Sequence, residues 1–156
     1  MSRRYARAFR GARALGFVPK NWGESTTLIA GIGLRGVVAP MVLPGSLDGP
    51  AFEAYIKEFV LDDLRQGDLI VLDNLQVHKR ESVKLLIEKK GARIIFIPPY
   101  SPDMNPIELA WSKLKSIQRT LKPRTVDELT AAIAQAIKKI STADIAAWIK
   151  HCGYIQ

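Results

Sequence analysis

The chain carries a single cysteine, Cys152, in 156 residues. That scarcity excludes a disulfide framework within the chain and any zinc site built on several thiolates. A lone thiol fits a reducing compartment. Long apolar runs are missing as well: none approaches the roughly 18 residues that a membrane-spanning helix needs, so no membrane partner is expected. Acids are in short supply. The first is Glu24, and over the whole sequence 15 acids stand against 23 Lys and Arg. The resulting charge of +8, with a pI near 9.8, points to a polyanionic partner. What the chain has in quantity is apolar side chain, 47% of residues. A domain of this length buries about 68–70% of its unfolded surface, so a single folded domain is expected.

Residues 1–24 read as a basic arm. Arg3, Arg4, Arg7, Arg10, Arg13 and Lys20 are interleaved with Tyr5, Phe9, Phe17 and Trp22. Serine is sparse and no apolar stretch follows Arg3-Arg4, which argues against a transit peptide and a twin-arginine export signal. The location expected is cytoplasmic. Cations with aromatics suit phosphate contact and base stacking. A solvated leader would have the same composition, and both readings stand.

Thr26–Leu34 and Val37–Leu43 are strand-like runs around Arg35-Gly36, which predicts a β-hairpin with Pro40 at an edge or bulge. Gly31 to Gly36 matches the dinucleotide-binding pattern literally. That pattern must open a helix, and Val37-Val38-Ala39-Pro40 starts one poorly. The spacing of Phe52, Tyr55, Ile56, Phe59 and Val60 predicts a helix over 48–64. Strands are expected at 69–73 and 93–97, joined by a basic helix over 79–90 with Val83, Leu85 and Leu86 inward. This β–α–β unit implies parallel neighbours. Helices follow from Pro106 to about Leu121, from Thr125 to about Ile140 with a Thr125/Glu128 capping box, and from about Thr142 to Lys150.

Two apolar strands therefore end at polar clusters. The first ends at Asp73-Asn74, with His78 beyond. The second ends at Pro98-Pro99-Tyr100-Ser101-Pro102-Asp103-Met104-Asn105-Pro106-Ile107-Glu108. Thirty-four residues separate Asp73 from Glu108. Strand C-terminal ends are where α/β sheets put their sites, and converging carboxylates would make a divalent-metal site. Each acid also has a plain reading. Asp73 suits an Asx turn helped by Asn74. Glu108 suits a capping box with Asn105 and Pro106. His78 could be a base, a ligand or structural, and is given no metal role. Asp103 suits a turn brace. Glu108 shares a helical face with Ser112, Lys115 and Arg119, opposite Ile107, Trp111 and Leu114. A carboxylate followed by cations along one groove suits a metal site that grips a nucleic-acid backbone.

Asp73-Asn74 with His78, and then the proline-rich block from Pro98 to Glu108, resemble the catalytic core of DDE-superfamily transposases, in the mariner-like branch of bacterial insertion sequences. The resemblance is clear over residues 66–122. It implies an α/β, RNase H-like mixed sheet flanked by helices, with a partial catalytic domain over 25–122 and a C-terminal helical tail over 123–156. It also implies metal-dependent DNA strand cleavage and transfer, in which three acids hold two Mg2+ or Mn2+ ions about 3.5–4 Å apart. Asp73 matches the second acid and Glu108 the third. Arg3, Arg4, Arg7, Arg10, Arg13, Lys115 and Arg119 are the expected DNA contacts. The partners implied are DNA, at element ends and target, and a homo-oligomer in the complete protein.

The family's first Asp ends the first strand of its sheet. Here the acids before Asp73 are Glu24, Asp48, Glu53, Glu58, Asp62, Asp63 and Asp68, and none ends an apolar strand. The expectation is a chain lacking that strand, its acid and the family's helix-turn-helix region. Such a chain would be inactive or nearly so alone, as a remnant or as the downstream half of a frameshifted transposase. The alternative reading is a non-catalytic DNA-binding or assembly fragment of the same element.

Overall fold

The computed structural model describes residues 7–13 and 25–155. Arg3 and Arg4, with Tyr5, Phe17, Lys20 and Trp22, lie outside the described residues. The expected hairpin is present: β1 (Thr26–Gly33) pairs antiparallel with β2 (Gly36–Pro44), from Thr26↔Pro44 to Gly33↔Gly36. Leu34 and Arg35 make the connection, and Gly36 adopts φ +136°, a conformation that side chains oppose. The register runs from Ile29↔Met41 to Gly31↔Val38, so Ala39 and Pro40 face Ala30 alone. This bulge is where a residue without an N–H costs no ladder bond. Ala39 sits at φ +46° within it, and the Tyr55 hydroxyl donates to its carbonyl at 2.8 Å. Burial pushes the Tyr55 hydroxyl up to about 12, which keeps it a donor.

Helix α1 (Gly49–Tyr55) starts where the Asp48 side chain accepts from the Ala51 N–H at 2.8 Å. It continues as a wider π segment, Ile56–Val60, and then unwinds into a turn. The helical stretch is therefore shorter than the 48–64 expected. Strand β3 (Leu69–Leu72) leads through a 3-10 turn (Gln76–Lys79) to α2 (Glu81–Lys89) and β4 (Arg93–Phe96). β3 and β4 are parallel, in register from Leu69↔Arg93 to Leu72↔Phe96. In α2, Val83 and Ile87 are fully buried, whereas Leu85 is 58% exposed. The inward partner of Val83 is the residue four positions on, as a 3.6-residue period requires, and not Leu85.

Among the described residues β1–β2 and β3–β4 form separate two-stranded ribbons rather than one continuous sheet. They share one core, in which Ile29 of the hairpin meets Phe52, Tyr55 and Ile56 of the first helix and Val83 and Ile87 of α2, with Ile70 and Ile94 packed against it. At the same time Leu69, Ile95 and Phe96 of the parallel ribbon stand exposed.

After a 3-10 turn (Pro102–Met104), α3 spans Pro106–Leu121 and ends with Lys122 at φ +50° before Pro123. α4 (Val126–Lys138) begins with the expected Thr125/Glu128 capping box, and α5 (Thr142–His151) with a second one from Ser141 and Asp144. Ala110 and Leu114 of α3, Ala132, Ile133 and Ala136 of α4, and Ile145 of α5 are all buried. Lys113 donates to Asp144 at 2.7 Å, fastening α5 to α3.

The Lys113 bond, followed by those from Ser141, lowers the Asp144 carboxyl from its ordinary 3.8 to about 2. A lowered carboxyl stabilises the fold fully above its ordinary value, and that contribution disappears as pH falls through the folded-state value. Melting temperature followed from pH 4 to pH 2 should therefore fall less steeply in Asp144→Asn than in the parent chain. Parallel curves would show that this pair does not set the acid limb.

Candidate active site

Where the ladder of β3 stops, Asp73 turns the chain. Its Oδ1 accepts the Leu75 N–H at 3.1 Å, the Asx turn that the sequence allowed. The same Oδ1 lies 2.7 Å from Nδ1 of His78. Even so, among the described residues the buried Nδ1 completes no hydrogen bond. Phe52 packs against the imidazole, with ring centroids 4.6 Å apart and planes at 42°. Asp73 remains 37% exposed against 16% for His78. No hydrogen bond among the described residues uses Oδ2 of Asp73. Next in the chain, the Asn74 amide donates to the Ile97 carbonyl, closing the end of β3 onto the end of β4.

The proline-rich block leaves from that closure. Tyr100 sits fully exposed at φ +59°. The Tyr154 hydroxyl, beyond α5, donates to the Met104 carbonyl at 2.8 Å and braces the turn from which α3 starts.

At the head of α3 the capping box expected from Asn105 and Glu108 is not formed. The Asn105 side chain makes no capping bond, and only its backbone carbonyl accepts the Glu108 N–H, at 3.1 Å. Pro106 supplies the fixed φ that starts the helix without it. Among the described residues the Glu108 carboxylate makes neither a hydrogen bond nor an ion pair, and it is exposed.

Ser112, Lys115 and Arg119 are exposed on the same face, and Arg119 Nε donates to the Lys115 carbonyl at 3.1 Å. Ile107, Trp111 and Leu114 turn the other way, beside Ala30 and Ile32 of the hairpin. Arg7, Arg10 and Arg13 are exposed around a turn closed by Ala12 N–H to the Phe9 carbonyl.

The structure thus brings His78 to Asp73, and the cations of α3 onto the face of Glu108. Among the described residues no group of three or more His, Cys, Asp or Glu side chains is placed to hold a metal ion, so Glu108 does not join the Asp73–His78 pair in such a group. The donor chemistry nonetheless suits a hard cation. Mg2+ takes carboxylate oxygens, commonly only one or two, and completes its shell with water and substrate phosphate. Asp73 Oδ2 and the Glu108 carboxylate are unspent oxygens of that kind. Two features escaped sequence reasoning. Tyr154 reaches the turn from fifty positions away, with no local signal. The His78–Asp73 contact needed the 3-10 turn between them.

Residues 1–130 match the family described as DDE superfamily endonuclease. Among solved structures, the chain is similar to the Mos1 strand transfer complex at 16% identity and a TM-score of 0.76, covering 96% of this chain and 46% of that one. It is similar to the Mos1 mariner paired-end complex with Mn at 14% identity and a TM-score of 0.73, covering 97% and 49%. For the Mos1 transposase catalytic domain with raltegravir and Mg, the values are 13% and 0.59, over 83% and 78%. The chain spans about half the length of the first two proteins. Among curated proteins, none matches it. The likeness in structure extends over nearly the whole chain and agrees with the RNase H-like α/β architecture that the sequence implied. By its family match, the chain is a member of the DDE endonuclease superfamily.

Proposed function

We propose that this chain is the catalytic-domain portion of a bacterial DDE transposase, working on DNA by metal-dependent strand cleavage and transfer. The observation that carries the proposal is the pair of unspent carboxylates: Oδ2 of Asp73 where β3 ends, and Glu108, freed from capping duty, in the first turn of α3. Asp73 and Glu108 would hold Mg2+ or Mn2+. Bound there, the metal supplies charge neutralisation and activation of the attacking oxygen for an in-line phosphoryl displacement.

The chain's own residues do the rest. Lys115 and Arg119, one and two turns beyond Ser112 on the exposed face, would neutralise phosphates of the DNA backbone. Arg7, Arg10 and Arg13 would add phosphate contacts from the arm, as would Arg3 and Arg4.

We further propose that the chain alone is inactive or nearly so. Two carboxylates and no third among the described residues form a weak site for a metal pair. The parallel ribbon supports the same reading, because its edges and the exposed Leu69, Ile95 and Phe96 leave it open to a further strand. A complete enzyme would supply that strand and an acid at its end, and would act as a homo-oligomer. A site of only two carboxylates among the described residues equally favours the second reading, a non-catalytic DNA-binding or assembly fragment.

Two experiments separate these claims. The chain is incubated with end-sequence DNA and Mg2+ or Mn2+; no nicking above an Asp73→Ala control is expected, and Asp73-dependent nicking would overturn the inactivity. DNA affinity is then measured against salt. Each phosphate contact removed lowers the slope of log K against log salt by about 1, so Lys115→Ala with Arg119→Ala should lower it by about 2. An unchanged slope would remove α3 from the DNA interface.

A further inference from the structure

The proposed chemistry leaves His78 without a task, yet among the described residues it is the side chain that brings a potential donor to Asp73. Three observations bear on it. First, Oδ1 of Asp73 already accepts the Leu75 N–H at 3.1 Å, and His78 Nδ1 approaches the same oxygen at 2.7 Å. Both protein contacts fall on Oδ1, and Oδ2 is left over. Second, the Phe52 ring packs against the imidazole, with centroids 4.6 Å apart. The helix that carries Phe52 is itself fastened to the start of α2, since Glu53 accepts from Ser82 and from Arg80. Third, Nδ1 is buried and, among the described residues, completes no hydrogen bond, although Asp73 Oδ1 lies only 2.7 Å away. A buried ring nitrogen without a partner is costly, so a small turn of the imidazole that closes its bond to Oδ1 is favoured.

We propose that His78 is a positioning residue: it pins Asp73 through Oδ1 and so leaves Oδ2 as the oxygen that receives a divalent cation. The inference rests on the metal-site reading above. Groups that orient metal ligands in this way change metal affinity by about 10–100-fold when removed.

A purely structural His78 would do something different, since its ring would merely fill space beside Phe52. Two substitutions separate the roles. His78→Phe keeps an aromatic ring against Phe52 and deletes Nδ1. His78→Asn discards the ring and keeps an amide N–H near the place of Nδ1. Mn2+ affinity of the full 156-residue chain is read by water-proton relaxation, alongside thermal melting. Positioning demands that H78F stay folded and bind Mn2+ about 10-fold more weakly, while H78N binds close to the parent chain even if it melts earlier. Parent-like Mn2+ affinity in H78F, or equal weakening in both variants, would overturn it.

Asp73→Asn is the control. If Mn2+ binding persists in D73N, the metal-site reading fails and this inference with it. If D73N abolishes binding and H78F does not weaken it, the positioning role alone fails.

Discussion

The hydrogen bond from the Asn74 amide to the Ile97 carbonyl is the constraint on which the site depends. Ile97 also donates its own N–H to the Leu72 carbonyl at 3.0 Å, so the residue is gripped through both backbone groups as β4 ends. It is 6% exposed, and its side chain anchors the same point from within the core. The consequence is geometric. The loop that begins at Asp73 and the block that begins at Pro98 leave from one fixed place. Pro98, Pro99, Pro102 and Pro106 then each lock one backbone torsion, and Tyr154 braces the last turn from outside. The start of α3, and Glu108 with it, inherits its position from that clasp.

Charge is divided along the same line. Among the described residues Asp73 spends one oxygen on the protein and keeps the other, while Glu108 keeps both. The cations of α3 that the fold needs are turned elsewhere: Lys113 is committed to Asp144, whereas Lys115 and Arg119 stay in water on the Glu108 face. The fold and the proposed DNA contact therefore draw on different residues of a single helix. The two ribbons show a similar division. Their shared core is closed by helices, yet the parallel pair exposes apolar side chains that a covered parallel sheet would bury.

Much of this was legible in the sequence because the signals were local. Pro106 and Pro123 bracket α3, and the helix runs from Pro106 to Leu121. Thr125 and Glu128 cap α4 reciprocally, as their spacing requires. Pro40 marked a bulge. Where sequence reasoning failed, a competing arrangement won. The Asn105 side chain matched a capping pattern, but Pro106 and the preceding 3-10 turn set the helix start without it. Leu85 is apolar but lies off the Val83–Ile87 face. The π segment after Tyr55 and the separation of the two ribbons carry no local signal in the sequence. At the candidate site the acids and their strand and helix termini were readable. The contact of His78 with Asp73, and its backing by Phe52, were not, because Phe52 lies twenty-six positions away on α1.

The central claim is that Asp73 and Glu108 serve one divalent-metal site. Crystals of the chain bound to duplex DNA and grown with Mn2+ test it most directly, by anomalous diffraction at the manganese edge. The account expects an anomalous peak within carboxylate coordination distance of both side chains, about 2.0–2.6 Å. A peak held by other residues, or full manganese occupancy on Asp73 with Glu108 turned away from it, would contradict the claim.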